Sequence, residues 1–128
     1  MTDTWFTADF HLGHRNIIRY CNRPFRDVDE MDSAILDRPN AAAKERDILY
    51  FLGDFCLGGA KHAEHYLNRI RCKRIHFTKG NHDKTLRKFQ DRFIWSATWR
   101  KLVFTNSELC FVACRAVART SWLLVASF

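Results

Sequence analysis

The sequence predicts a layered α/β domain in which the strands of a sheet alternate with helices. Three observations predict it. Short apolar runs at residues 4–8, 48–52 and 75–78 stop, within a residue or two, at Asp9, at Gly53 and Asp54, and at Gly80 and Asn81. Stretches with helical spacing lie between these runs. The chain has 128 residues, a length suited to one hydrophobic core. Strand, helix, strand, helix, strand is the signature of an α/β layer architecture.

The first run, TWFTA, is rich in aromatic and β-branched residues and reads as a buried strand ending at Asp9. A helix is expected to begin near Asp27 or Asp29, either of which can cap it, and to run through Met31, Ala34, Ile35, Ala41 and Ala43. Pro39 is expected to kink or end that helix, because its ring removes a donor and crowds the preceding turn. The run ILYFL is the second strand, closed by Gly53 and Asp54. After the Gly58-Gly59 break, a helix over residues 60–70 places Ala63, Tyr66, Leu67 and Ile70 on one face. The third strand, residues 75–78, leads through Lys79 into Gly80, Asn81, His82 and Asp83. Residues 101–104 and 109–112 read as further strands, but the chain has no Gly or Pro after Gly80 and looks poorly equipped for hairpins.

The net charge of +7 invites a nucleic-acid reading, yet its distribution argues otherwise. Residues 1–83 carry 13 basic and 12 acidic side chains, whereas residues 84–128 carry 8 and 2. The excess therefore belongs to the last third. No stretch supplies the roughly 20 apolar residues of a membrane span, and the N-terminus has no basic segment ahead of an apolar one. Five cysteines without CxxC spacing suggest neither disulfides nor a zinc ribbon. A soluble, reduced, cytoplasmic protein is expected.

The ends of the three runs carry metal-ligand chemistry. Asp9 and His11 stand at the first, followed by His14 and Asn16; alternate residues of a strand share a face, so an Asp-x-His pair points one way. A carboxylate with an imidazole suits a borderline divalent ion such as Mn, Fe, Co, Ni or Zn. Asp54 leaves the second run after a glycine, and Asn81, His82 and Asp83 follow Gly80 at the third. Alone, each cluster reads as a turn or surface loop. Together, each after a buried strand, they read as one site, because ligands of open α/β sheets bind beyond the carboxyl ends of the strands. Arg15 is either a phosphate contact or a solvated arginine. His62 and His65 share a helix face without further ligands, His76 reads as structural, and Cys56 as a small buried residue.

These residues resemble the calcineurin-like metallophosphoesterases, whose pattern runs D-x-H, G-D, G-N-H-[DE], a histidine and G-H-x-H. The likeness covers residues 4–83 and is close to a small bacterial branch through residues 9–18, 21–25 and 53–55. It implies an α/β/β/α layered sandwich and hydrolysis of phosphate mono- or diesters by a hydroxide activated on two divalent metal ions. It implies that Asp9 and His11 bind one metal, Asp54 bridges both, and Asn81 binds the second. His82 is then the catalytic group beside the substrate phosphate, with His14, Asn16 and Asp83 around it. The chemistry agrees: a carboxylate has two oxygens for a bridge, and an amide adds coordination without charge. His82 could donate to a phosphoryl oxygen or protonate the leaving alkoxide. Asp83 could orient His82 or cap the following helix. The expected substrate is a phosphate-ester small molecule or a nucleotide.

The chain departs from the pattern after His82, beyond which it has no histidine. The second metal would then keep only Asp54 and Asn81 and bind weakly. A single domain over residues 1–128 is expected, with an atypical tail from about residue 100 that reflects truncation or a frameshift after about Trp99. Its C-terminal sheet would be incomplete and would favour self-association through exposed apolar surface. An inactive remnant with a partial metal and phosphate site is the alternative. A basic nucleic-acid module, resting on Arg100 and Lys101 beside Trp95, Trp99 and Phe104, is the least favoured class.

Overall fold

A computed structural model describes residues 2–80, 82–97, 99–104, 107–112 and 126–127, with side chains to residue 94. Asn81 and the side chains of Trp95, Trp99, Arg100, Lys101 and Phe104 lie outside the described residues.

The three apolar runs form parallel strands β1 (Thr4–Thr7), β2 (Ile48–Phe51) and β3 (Arg74–Thr78). Their register is tight: Thr7 lies beside Phe51, and Phe51 beside Phe77. All three strands therefore end at one level, which is what brings three loops to one edge. Strand β4 (Trp95–Ala97) extends the parallel set beside β3, and it has no counterpart among the expected elements. Strands β5 (Trp99–Phe104) and β6 (Ser107–Val112) pair antiparallel, with Phe104 opposite Ser107. The expectation that this stretch is ill suited to hairpins is thus corrected. Strand β7 (Ala126–Ser127) pairs antiparallel with β1 and completes a sheet of order β4-β3-β2-β1-β7.

Helix α1 (Ile17–Tyr20) is a single turn after the first loop. Helix α2 (Val28–Ala42) starts at the expected cap: Asp27 accepts from the Glu30 N–H at 2.9 Å, while the Glu30 carboxylate accepts from the Arg26 N–H at 2.7 Å. Pro39 does not end this helix. It lies buried within it, and the helix stops three residues later at Ala42, where the Ala43 N–H donates to the Pro39 carbonyl. The proline forfeits the one hydrogen bond that its own N–H would have donated. Asn40 secures the same end, donating to the Arg69 carbonyl and accepting from the Arg71 N–H, both at 2.8 Å. Helix α3 (Ala60–Arg69) buries Ala63, Tyr66 and Leu67 as its spacing predicts. A 3-10 segment (Asp83–Arg92) follows β3 and is kinked at Phe89.

The helices and one face of the sheet share a single core. Leu49, Phe51, Ile75 and Phe77 meet Met31, Ile35, Leu36 and Leu67 there. Phe51 is the hub: its ring is 4.7 Å from Phe10 and 5.3 Å from Phe77, which in turn stacks on Phe93 at 5.0 Å. On the other face Phe6, Tyr50 and His76 form a row across β1, β2 and β3.

Asp47 ties the start of the sheet together. Its carboxylate accepts from the Lys44 N–H at 2.8 Å and from the Asp3 N–H and Trp5 Nε1–H at 3.1 Å each. These bonds, the Lys44 N–H foremost, hold the carboxyl below its usual range. A carboxyl whose folded pKa is depressed contributes stability that is present above the ordinary value, near 3.8, and is lost as pH falls through the lower folded value. Asp47→Asn is therefore expected to lower stability at neutral pH and to flatten the acid limb of the stability profile. Urea melts across acid and neutral pH check both effects.

Candidate metal centre

The site is built by two loops that continue side by side past the strand ends. The Asp9 N–H donates to the Gly53 carbonyl at 3.0 Å, the His11 N–H to Asp54 at 2.9 Å and the Leu12 N–H to Phe55 at 3.0 Å. Asp9, His11 and Asp54 all adopt left-handed backbone, with φ of 54°, 52° and 55°. Asp9 and His11 converge, but not as alternate strand residues, since β1 ends at Thr7. The left-handed turns aim both side chains at Asp54. One ligand atom from each of Asp9, His11 and Asp54 lies within 4.8 Å of the others, and His11 Nε2 is 3.9 Å from an Asp54 oxygen.

Two glycines let the loops approach. A Cβ at Gly53, whose φ is 94°, would stand 2.9 Å from the Gly80 nitrogen. A Cβ at Gly80 would stand 2.5 Å from the Asp54 nitrogen and overlap the Asp54 carboxylate. That leaves room for the His82 N–H to donate to Asp54 Oδ1 at 3.1 Å.

Three charged residues behind the site fix its backbone. Arg23 is buried, and its guanidinium donates to the Asp9 carbonyl at 2.9 Å and the Phe10 carbonyl at 2.8 Å. Asp83, 2% exposed, accepts from the N–H groups of Asp54, Phe55 and Gly80 at 2.7, 2.8 and 2.5 Å. Asp32 accepts from the Gly13 N–H and from the Tyr66 hydroxyl at 2.7 Å, so α2 and α3 are both tied to the first loop. Burial pushes the carboxyls of Asp83 and Asp32 up, and the donors just named oppose it.

Three imidazoles gather over this floor. The His11 ring is 5.3 Å from that of His82 and 6.0 Å from that of His14, and His14 is 6.1 Å from His82. Burial, assisted by nearby positive groups and opposed by Asp54, pushes His11 down to about 4. His14 is pushed down in the same direction by burial and His82. A neutral His11 presents a lone pair, the form in which imidazole binds metals. Two carboxylates and a neutral imidazole make a donor set that fits a borderline divalent cation.

The sequence pattern of the calcineurin-like phosphoesterases matches residues 3–122. The chain belongs to that family. Members typically bind divalent metals, and Asp9, His11 and Asp54 are the candidate group for one in this phosphoesterase domain. An uncharacterized protein of Methanocaldococcus jannaschii is 41% identical over 92 residues, covering 70% of this chain and 52% of that protein. The Gene 66 protein of Mycobacterium phage L5 is 34% identical over 85 residues, covering 65% and 41%. The chain thus spans about half the length of these relatives. A crystal structure of a protein of unknown function from Aquifex aeolicus shares the fold, with a TM-score of 0.72 at 24% identity, covering 86% of this chain and 59% of that one.

The remaining expected residues are spread around this centre. His82 is exposed, with its ring over His11. His14 is half-buried, and its Nδ1 accepts from the Ile17 N–H at 3.2 Å. Asn16 is exposed at the start of α1. Asp83, given two roles by the sequence, takes a third, since its carboxylate receives the N–H groups of the two neighbouring loops. His62 and His65 are exposed on α3. Cys56 is buried, and its thiol is pushed up to about 12 by that burial, so it offers no thiolate. Sequence reasoning missed Arg23 as a site residue. Its one local signal is a long cation beside Pro24 in a short segment with Cys21 and Phe25. Among the described residues no helix is long and apolar enough to cross a membrane.

Proposed function

We propose that this chain is a metal-dependent phosphoesterase that hydrolyses phosphate mono- or diesters of small molecules or nucleotides. The observation that carries the reading is the convergence of Asp9, His11 and Asp54 at the carboxyl ends of two parallel strands. Two divalent cations, when bound, supply a hydroxide at neutral pH and neutralise charge on the phosphoryl group. Asp54 offers a second oxygen for a shared position, and Asn81 is the further ligand that the family pattern supplies. His82 and His14 stand on the open side of His11, where an imidazole can hydrogen-bond a phosphoryl oxygen. In hydrolysis a water gives up one proton as its oxygen bonds to phosphorus, the ester P–O bond breaks, and the leaving oxygen takes up one proton; His82 is the group assigned to deliver it in this reading.

The test is hydrolysis of bis(p-nitrophenyl) phosphate and p-nitrophenyl phosphate with Mn(II), Ni(II) or Zn(II) added to protein stripped by chelation. Release of nitrophenolate only in the presence of a metal is the expected result. Saturable metal binding with no turnover on either ester would overturn the hydrolase reading and favour a metal- and phosphate-binding domain.

A further inference from the structure

The segment after His14 forms a second concave surface. Arg15, Asn16, Ile18 and Arg19 face Arg26 and Asp27 across a cleft of about 350 Å3. Three arginines and one carboxylate therefore line it, and that carboxylate is already engaged. Asp27 receives the Glu30 N–H at 2.9 Å and the Arg26 Nε–H at 3.1 Å. Arg26 keeps its terminal nitrogens for another acceptor. Arg15 and Arg19, both exposed and one helical turn apart, have no ion pair among the described residues. A planar guanidinium fork matches the paired oxygens of a phosphate, and positive charges that outnumber the carboxylates lining the cleft favour an incoming anion.

The position of the cleft gives it meaning. Arg15 directly follows His14, whose ring is 6.0 Å from His11 and 6.1 Å from His82, so cleft and imidazole cluster adjoin. A lone arginine after a histidine is ordinarily solvated. Three arginines from two separate segments, lining one concavity beside a candidate reaction centre, ask for a shared ligand. We propose that the cleft is an anion subsite for a second phosphate of the substrate, so that the chain selects phosphate esters bearing a further phosphate over esters without one. The inference rests on the hydrolase reading for the word substrate, but the cleft itself can be tested without turnover. Its chemistry is shared by a nucleoside diphosphate and by an oligonucleotide backbone.

The test compares one dinucleotide with and without a terminal phosphate, on the parent protein and on the double variant Arg15→Gln/Arg19→Gln. By calorimetry the parent is expected to bind the phosphorylated dinucleotide about tenfold more tightly, and the double variant to lose that preference. If either is hydrolysed, kcat/KM is expected to show the same preference and the same loss. Equal binding of both ligands by the parent, or a preference retained in the variant, overturns the subsite. An arginine-dependent preference in binding with no hydrolysis of any ester sinks the hydrolase reading and leaves the subsite standing. A nucleoside diphosphate bound as tightly as a longer oligonucleotide assigns the cleft to one phosphate group; affinity that rises with oligonucleotide length assigns it to a nucleic-acid backbone. Both of these sources support the subsite.

Discussion

Asp54→Asn is expected to abolish cation binding and ester hydrolysis together while leaving the fold in place. Asparagine is nearly isosteric, tolerates left-handed backbone well, and can keep an oxygen for the His82 N–H that Oδ1 now receives at 3.1 Å. What it removes is the charge and the second carboxylate oxygen, 3.9 Å from His11 Nε2. Altering residues that merely orient metal ligands costs about 10–100-fold in affinity or activity, so loss of a ligand itself is expected at or beyond about 100-fold. Calorimetric titration with Mn(II), the hydrolysis assay and a thermal melt read the three consequences separately. Undiminished cation affinity in this variant would remove Asp54 from the centre.

Gly80→Ala is expected to damage both site and fold. The added Cβ would stand 2.5 Å from the Asp54 nitrogen and inside its carboxylate, with backbone rather than flexible side chain to be displaced. Overpacking of this kind costs about 1–3 kcal/mol. Relief requires Gly80 to withdraw, which also breaks the bond from its N–H to Asp83 and loosens the carboxylate that holds Asp54 and Phe55. Lower stability and weaker cation binding are thus expected in one variant. Gly59→Ala is the control, because nothing lies within 4 Å of a Cβ there. Chemical denaturation of both variants decides, and equal losses would refute the steric account.

The parts of this molecule that sequence made legible are those written in local pattern. The runs at Thr4, Ile48 and Ile75 announce strands, because each is a few residues of β-prone side chain closed by a turn former. Asp27 announces its helix because capping involves residues three apart. Asp9, His11 and Asp54 could be named as a group because parallel strands ending together must deliver their succeeding loops to one edge. The remainder depends on closures over long stretches of chain. Arg23 reaches Asp9 across 14 residues, Asp83 reaches Asp54 across 29, and Asp32 reaches Tyr66 across 34. No periodicity encodes which buried charge will find which backbone group. Pro39 does not end its helix: it lies buried, and Asn40 ties the same end to the Arg69 carbonyl and the Arg71 N–H, closures that no local pattern announces.

Of the four non-glycine residues with left-handed backbone among the described residues, three carry the candidate ligands. Each such residue costs about 1–3 kcal/mol, which the surrounding hydrogen bonds from Arg23 and Asp83 must hold in place. A cation that binds only the folded form returns free energy in proportion to the logarithm of its concentration. The domain's resistance to unfolding and proteolysis is therefore linked to the free metal around it. Scarcity of metal would register first as a shorter lifetime of the chain.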